Sequence, residues 1–245
     1  MKLKKIINEI ILQEGVYDKG ILKAFFLAGG PGSGKSYVSS KLFGFNNSSF
    51  SSMGLKYVDQ DKLFVQLLKK MDINPKNLAS IAKDDPDHFN YLTNDPSGPR
   101  SKGADITDKI KLGYQTGRLG LVIDGTGGNF QSIKEKYDIL NSAGYTCYMI
   151  FVNTDLETAK KRNSARDRTL PDDVVVDKWK AVQNNLGKFQ NLFGDKLIIL
   201  DNTEGSENIL NSVSKKIRKL VSSPVENPIG KHWIDSELKN KNRNQ

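Results

Sequence analysis

The sequence predicts an α/β fold of three layers, a five-stranded, mainly parallel sheet covered by helices on both faces. Three observations predict it. Short apolar runs alternate with longer amphipathic segments from residue 24 onward, the pattern of βαβ units. The apolar content is 37% over 245 residues, enough for a sizeable core. A glycine-rich turn follows the first apolar run without a gap, as the strand-to-helix turns of such sheets do.

The expected strands are 24–28, 56–58, 119–123, 146–152 and 196–200, each a short apolar run bounded by turn residues. Helices are expected at 35–42, 62–71, 106–115, 130–141, 156–163, 172–192 and 207–220, where apolar residues recur every three or four positions. Residues 1–23 carry Leu3, Ile6, Ile7, Ile10 and Ile11 on one side of a helix, but Asn8 and Glu9 interrupt the run, so it reads as amphipathic helix rather than leader peptide. Residues 24–221 are expected as the main domain. Within it, 83–103 is a loop-rich excursion holding Pro86, Pro96 and Pro99, placed to cover a second substrate or to lie as a surface loop. The polar stretch at about 162–171 has the length and charge of a lid, and 222–245 reads as a polar, basic, loosely docked tail.

Net charge is +9, but it is unevenly placed. Residues 214–245 hold eight basic and three acidic side chains, whereas 24–213 hold 24 basic and 22 acidic. Such an end either grips a nucleic acid loosely through its phosphates or keeps the chain in solution. The lone cysteine, Cys147, excludes an intrachain disulfide, and no apolar stretch is long enough to cross a bilayer. A cytoplasmic protein with no membrane partner is the expectation, and oligomeric state is left open.

Gly29, Gly30, Pro31, Gly32, Ser33, Gly34, Lys35 and Ser36 form the pattern GxxxxGK(S/T), a phosphate-binding loop. Glycines let the backbone curl so that its N–H groups converge on a β-phosphate beside the positive end of a helix. Lys35 would reach the β- and γ-phosphates, Tyr37 follows within the same turn, and Ser36 can join the shell of a Mg²⁺. ATP and Mg²⁺ are therefore the expected ligands.

Three further groups narrow the chemistry. Asp59-Gln60-Asp61 follows the second strand, where a carboxylate can take the proton of an attacking hydroxyl or cap the next helix. Asp124 ends the run Leu121-Val122-Ile123 before Gly125 and Gly127, the place of a second acid serving the metal. No glutamate follows it, which leans away from a water-activating motor. Arg162 and Arg166 are four apart and share a helix face, with Arg168 close by; such cations offset charge on a transferring phosphoryl group or simply complement a helix end.

Over 24–205 these residues resemble the phosphate-loop kinases that include zeta toxins and bacteriophage-type polynucleotide 5′-kinases. GGPGSGKS, LVIDGTG and AGYTCYMIFV are similar to the zeta-toxin arrangement, and KKRNSARDRTLPDDVV to the lid of polynucleotide kinases. The resemblance implies a P-loop NTPase fold with an arginine-bearing lid and transfer of the γ-phosphoryl group of ATP to a hydroxyl. It makes Asp61 the base and has Arg162 and Arg166 contact the phosphates. Zeta toxins act on a UDP-linked amino sugar, so a nucleotide sugar or other small molecule is the expected acceptor. Phe64 stands where polynucleotide kinases carry a basic residue, which weakens the alternative of a polynucleotide 5′-hydroxyl. A nucleoside monophosphate kinase, a toxin role and an ATP-dependent binding or switch protein without an acceptor stay open.

Overall fold

A computed structural model describes residues 15–45, 51, 53–57, 60–165, 170–205 and 207–243, with the side chains of residues 60–62 and 79 excepted. The expected helix within 1–23 lies largely outside these residues. The chain divides into two compact units, one drawn from 1–57 and 117–245 and the other from 58–116.

The first unit is built on five strands: β1 (Lys23–Ala28), β2 (Lys56–Tyr57), β3 (Leu121–Asp124), β4 (Thr146–Asn153) and β5 (Leu197–Asp201). All pair in parallel in the order β2-β3-β1-β4-β5. β1 is buried along its whole length and β4 along all but its last residue. That explains why both are continuous apolar runs, since a parallel sheet with helices on each face has no wet side.

Side chains of β1 alternate between the faces. Phe25 and Leu27 join the larger core with Val38, Leu42 and Phe43 of α1 (Lys35–Phe43) and Leu210, Ile217 and Val221 of α10 (Glu207–Ser222). Phe25 stacks on Tyr148 at 4.9 Å between ring centroids. Phe26 meets Phe193 edge to face, on the side covered by α6 (Phe130–Ser142) and α9 (Leu186–Phe193). α7 (Leu156–Ser164) and α8 (Asp172–Asn184) complete the series before β5.

The expected helix at 172–192 is two helices. It breaks at Asn185, whose side-chain N–H₂ donates to the carbonyls of Gly127 and Gly128, each at 3.0 Å. The tail also differs from expectation, because 228–243 form α11 (Pro228–Arg243). Asn227 starts it by accepting from the Ile229 N–H at 2.9 Å and anchors it by donating to the carbonyl of Asn141 at 2.8 Å. Gly230 packs against the backbone of Gly144, and Trp233 lies under the Arg118 guanidinium at 4.8 Å.

The second unit is helical: α2 (Gln60–Lys70), α3 (Leu78–Asp84), α4 (Pro86–Thr93) and α5 (Pro99–Thr116). Phe64, Leu68 and Leu92 form its core, with Ile73, Leu78 and Ile81 packed around them. The excursion expected to be loop-rich at 83–103 is mostly helix. Two of its prolines start helices instead of breaking them: Pro86 follows the cap Asp85, which accepts from the His88 N–H at 3.0 Å, and Pro99 opens α5, while Pro96 lies in the turn between α4 and α5.

Candidate functional site

β1 ends at Ala28 at the carboxyl edge of the sheet, and the phosphate loop begins there. Gly29 donates its N–H to the Thr126 carbonyl at 3.1 Å, which ties the loop to the turn after β3. Gly32 and Gly34 adopt φ of +76° and +77°, a region that side-chain-bearing residues avoid. Gly32 also has no room for a Cβ, which would collide with the Ala159 carbonyl of α7. Gly34 caps α1, so the loop hands over to a helix N-terminus, where free N–H groups favour an anion.

Lys35 is the first residue of α1, and its ammonium pairs with Oδ1 of Asp124, the last residue of β3. β1, which leads through the loop into α1, is the neighbour of β3 in register, Leu27 beside Asp124, which explains how residues 89 apart in sequence meet. The Lys35 and Asp124 side chains are 17% and 34% exposed, so the pair is open to solvent. Oδ2 of Asp124 accepts from the Tyr57 hydroxyl at 3.2 Å. Ser36 and Tyr37 are exposed beside them. Ser36 and Asp124 provide hard oxygen donors of the type Mg²⁺ accepts. Among the described residues no group of three or more His, Cys, Asp or Glu is placed to hold a metal ion.

Arg162 lies in the last turn of α7 and turns back toward the loop. One terminal nitrogen donates to the Thr203 carbonyl at 3.0 Å. The other, Nη1, is buried with no hydrogen-bond partner among the described residues and sits 3.8 Å from where a Cβ on Gly34 would stand. Thr203 follows Asn202, whose side-chain N–H₂ donates to the Ser33 carbonyl at 2.8 Å. The turn after β5 therefore fastens both the phosphate loop and the arginine. α7 is capped by Asp155, whose carboxyl is held below its usual range by the Thr158 N–H.

Lys35, Ser36, Asp124 and Arg162 thus come together around the loop. Arg166 and Arg168 lie outside the described residues. So do Asp59 and the side chain of Asp61; Asp61 itself is the second residue of α2. Asn163, near the end of α7, accepts from the Leu170 N–H at 3.1 Å and donates to the Leu170 carbonyl at 2.8 Å. In the second unit Arg100 stacks over Phe64 at 5.2 Å. Tyr57 was not legible as a site residue, since it belongs to no motif and its partner Asp124 is 67 positions away in sequence.

The loop, the strand order and the lysine–carboxylate pair describe a P-loop NTPase-like kinase fold. Residues 25–188 match the AAA domain family. The chain is a member of that family. No curated protein sequence matches this AAA-domain protein. Among solved structures it is similar to one from the PezAT chromosomal toxin–antitoxin system of Streptococcus pneumoniae, with 14% identity and a TM-score of 0.53 over 89% of this chain and 95% of that one. A chain of the Pnkp1/Rnl/Hen1 RNA repair complex matches with 16% identity and a TM-score of 0.46, over 69% of this chain. The AAA-domain protein spans only 46% of that longer chain. Shikimate kinase from Bacteroides thetaiotaomicron matches with 12% identity and a TM-score of 0.44 over 82% of this chain and 99% of that one. At such identities the likeness is one of fold. Among the described residues no helix is long and apolar enough to cross a membrane.

Proposed function

We propose that this protein is an ATP-dependent kinase that transfers the γ-phosphoryl group to a hydroxyl, with a nucleotide sugar or other small molecule as acceptor. The observation that carries this reading is the Lys35–Asp124 pair at the mouth of a glycine-built anion loop, with the Arg162 guanidinium beside Gly34. The loop amides and Lys35 bind the triphosphate. Asp61 accepts the acceptor's proton as the new O–P bond forms and the bond to ADP breaks. Arg162, Arg166 and Arg168 offset the charge on the equatorial oxygens. Ser36 and Asp124 would hold Mg²⁺, which when bound neutralises charge on the β- and γ-phosphates.

Labelled ATP incubated with a metabolite extract tests the reading: a compound gaining one phosphoryl group is the expected product. Tight ATP binding with no phosphorylated product would replace it with a nucleotide-dependent switch. Asp61→Asn is expected to abolish transfer while leaving ATP affinity within a few-fold, and normal turnover in that variant would remove Asp61 as the base.

One observation favours a polymeric acceptor or partner instead. α10 exposes Lys215, Lys216, Arg218 and Lys219 together, a surface suited to a phosphate backbone. Binding of a labelled oligonucleotide that weakens steeply between 50 and 200 mM salt, about 10-fold or more, would support it.

A further inference from the structure

Tyr57 is the last residue of the edge strand β2 and pairs with Val122 of β3, two positions before Asp124. Residues in register point the same way and alternate residues share a face, so Tyr57, Val122 and Asp124 project to one side of the sheet. The ring of Tyr57 packs against Phe45 at 5.2 Å between centroids and abuts the larger core. Its hydroxyl is thereby delivered to Oδ2 of Asp124 from a rigid support. A carboxylate that is 34% exposed can satisfy itself with water. The phenol is not needed to avoid an orphaned group, and what it adds is direction.

Direction matters because Lys35 cannot serve two places at once. Here it contacts Oδ1 of Asp124, whereas phosphate binding requires its ammonium at the β- and γ-oxygens. Once the lysine departs, Oδ1 is released and the tyrosine still grips Oδ2. We propose that Tyr57 is a positioning residue that fixes the rotation of the Asp124 carboxylate so that Oδ1 faces the metal held between protein and phosphates. This rests on the kinase reading above and names a determinant that the phosphate-loop motif does not contain. Outer-shell hydrogen bonds to ligating carboxylates act in this way elsewhere.

The test is Tyr57→Phe, which keeps the ring on Phe45 and removes only the hydroxyl. Binding of a fluorescent ATP analogue is titrated with Mg²⁺ for the wild type, Tyr57→Phe, Asp124→Asn and the double variant. The expected result is that Tyr57→Phe leaves metal-free affinity and the melting temperature near wild type. The Mg²⁺ concentration for half-maximal tightening rises about three- to tenfold. That shift should vanish in the Asp124→Asn background, because the phenol then has no carboxylate to orient. An unchanged Mg²⁺ midpoint in Tyr57→Phe overturns the proposal alone, as does an equal shift with and without Asp124. A wild type whose nucleotide binding ignores Mg²⁺ overturns both the kinase reading and the role of Tyr57.

Discussion

Gly32 shows how a missing side chain can be the functional element. Its φ of +76° and the Ala159 carbonyl against it leave no space for a methyl group. Gly32→Ala should therefore lower stability by about 1–3 kcal/mol from backbone strain and weaken ATP binding at least tenfold, measured by urea unfolding and calorimetry. Lys23 is a second case, a buried ammonium at the start of β1 that donates to Ser223 Oγ at 3.2 Å and to the Pro224 carbonyl at 2.9 Å. Burial pulls it down to about 8; Glu226 opposes the shift and Lys196 adds to it. The folded protein sheds this proton at lower pH than the unfolded chain does, so its contribution makes stability rise between about pH 8 and 10.5. Urea midpoints across that window should climb in the wild type and climb less in Lys23→Met. Cys147, buried on β4 with its thiol pushed up to about 12, should resist alkylation at pH 8 until the protein unfolds. At this scale the contiguous residues of the site were legible, because a phosphate loop needs its glycines, lysine and serine at fixed spacing. Tyr57 was not, because its role arises only when β2 and β3 come into register.

At the scale of elements, the strands were legible within one or two residues, most plainly β1 and β4, which are buried on both faces and therefore continuous apolar runs. The helices were less so. Proline was read as a breaker at residues 86 and 99, yet a helix's first turn needs no proline N–H and both sites lie there. The polar composition after residue 222 hid α11, which is held by a few specific contacts instead of a broad apolar stripe. Ending the chain after Ser222 would remove both acceptors of Lys23, the Trp233 partner of Arg118 and the cover provided by Val225. It should lower stability by about 3 kcal/mol or more, roughly 6–12 °C in melting temperature. A chain so shortened that melts like the full one would show that α11 contributes nothing to the fold.

For the molecule as a whole, the two compact units differ in how much apolar surface they bury. The sheet unit has a core running through four strands and two helices, whereas the core of 58–116 rests on Phe64, Leu68 and Leu92. Amide exchange should accordingly be slowest in β1 and β4, with protection in α2 to α5 lower by about tenfold or more. The kinase fold class was legible before any coordinates, while the division into units was not, since no composition shift marks residues 57 and 117. The contact between Lys23 and Ser223 spans 200 positions. A strand at the centre of the sheet thus cannot satisfy its own first residue with anything made near it on the ribosome. Vectorial synthesis leaves that amine waiting, hydrated, until the segment around residue 223 emerges, so burial of the Lys23 ammonium is a late event, set by long-range docking rather than by local growth.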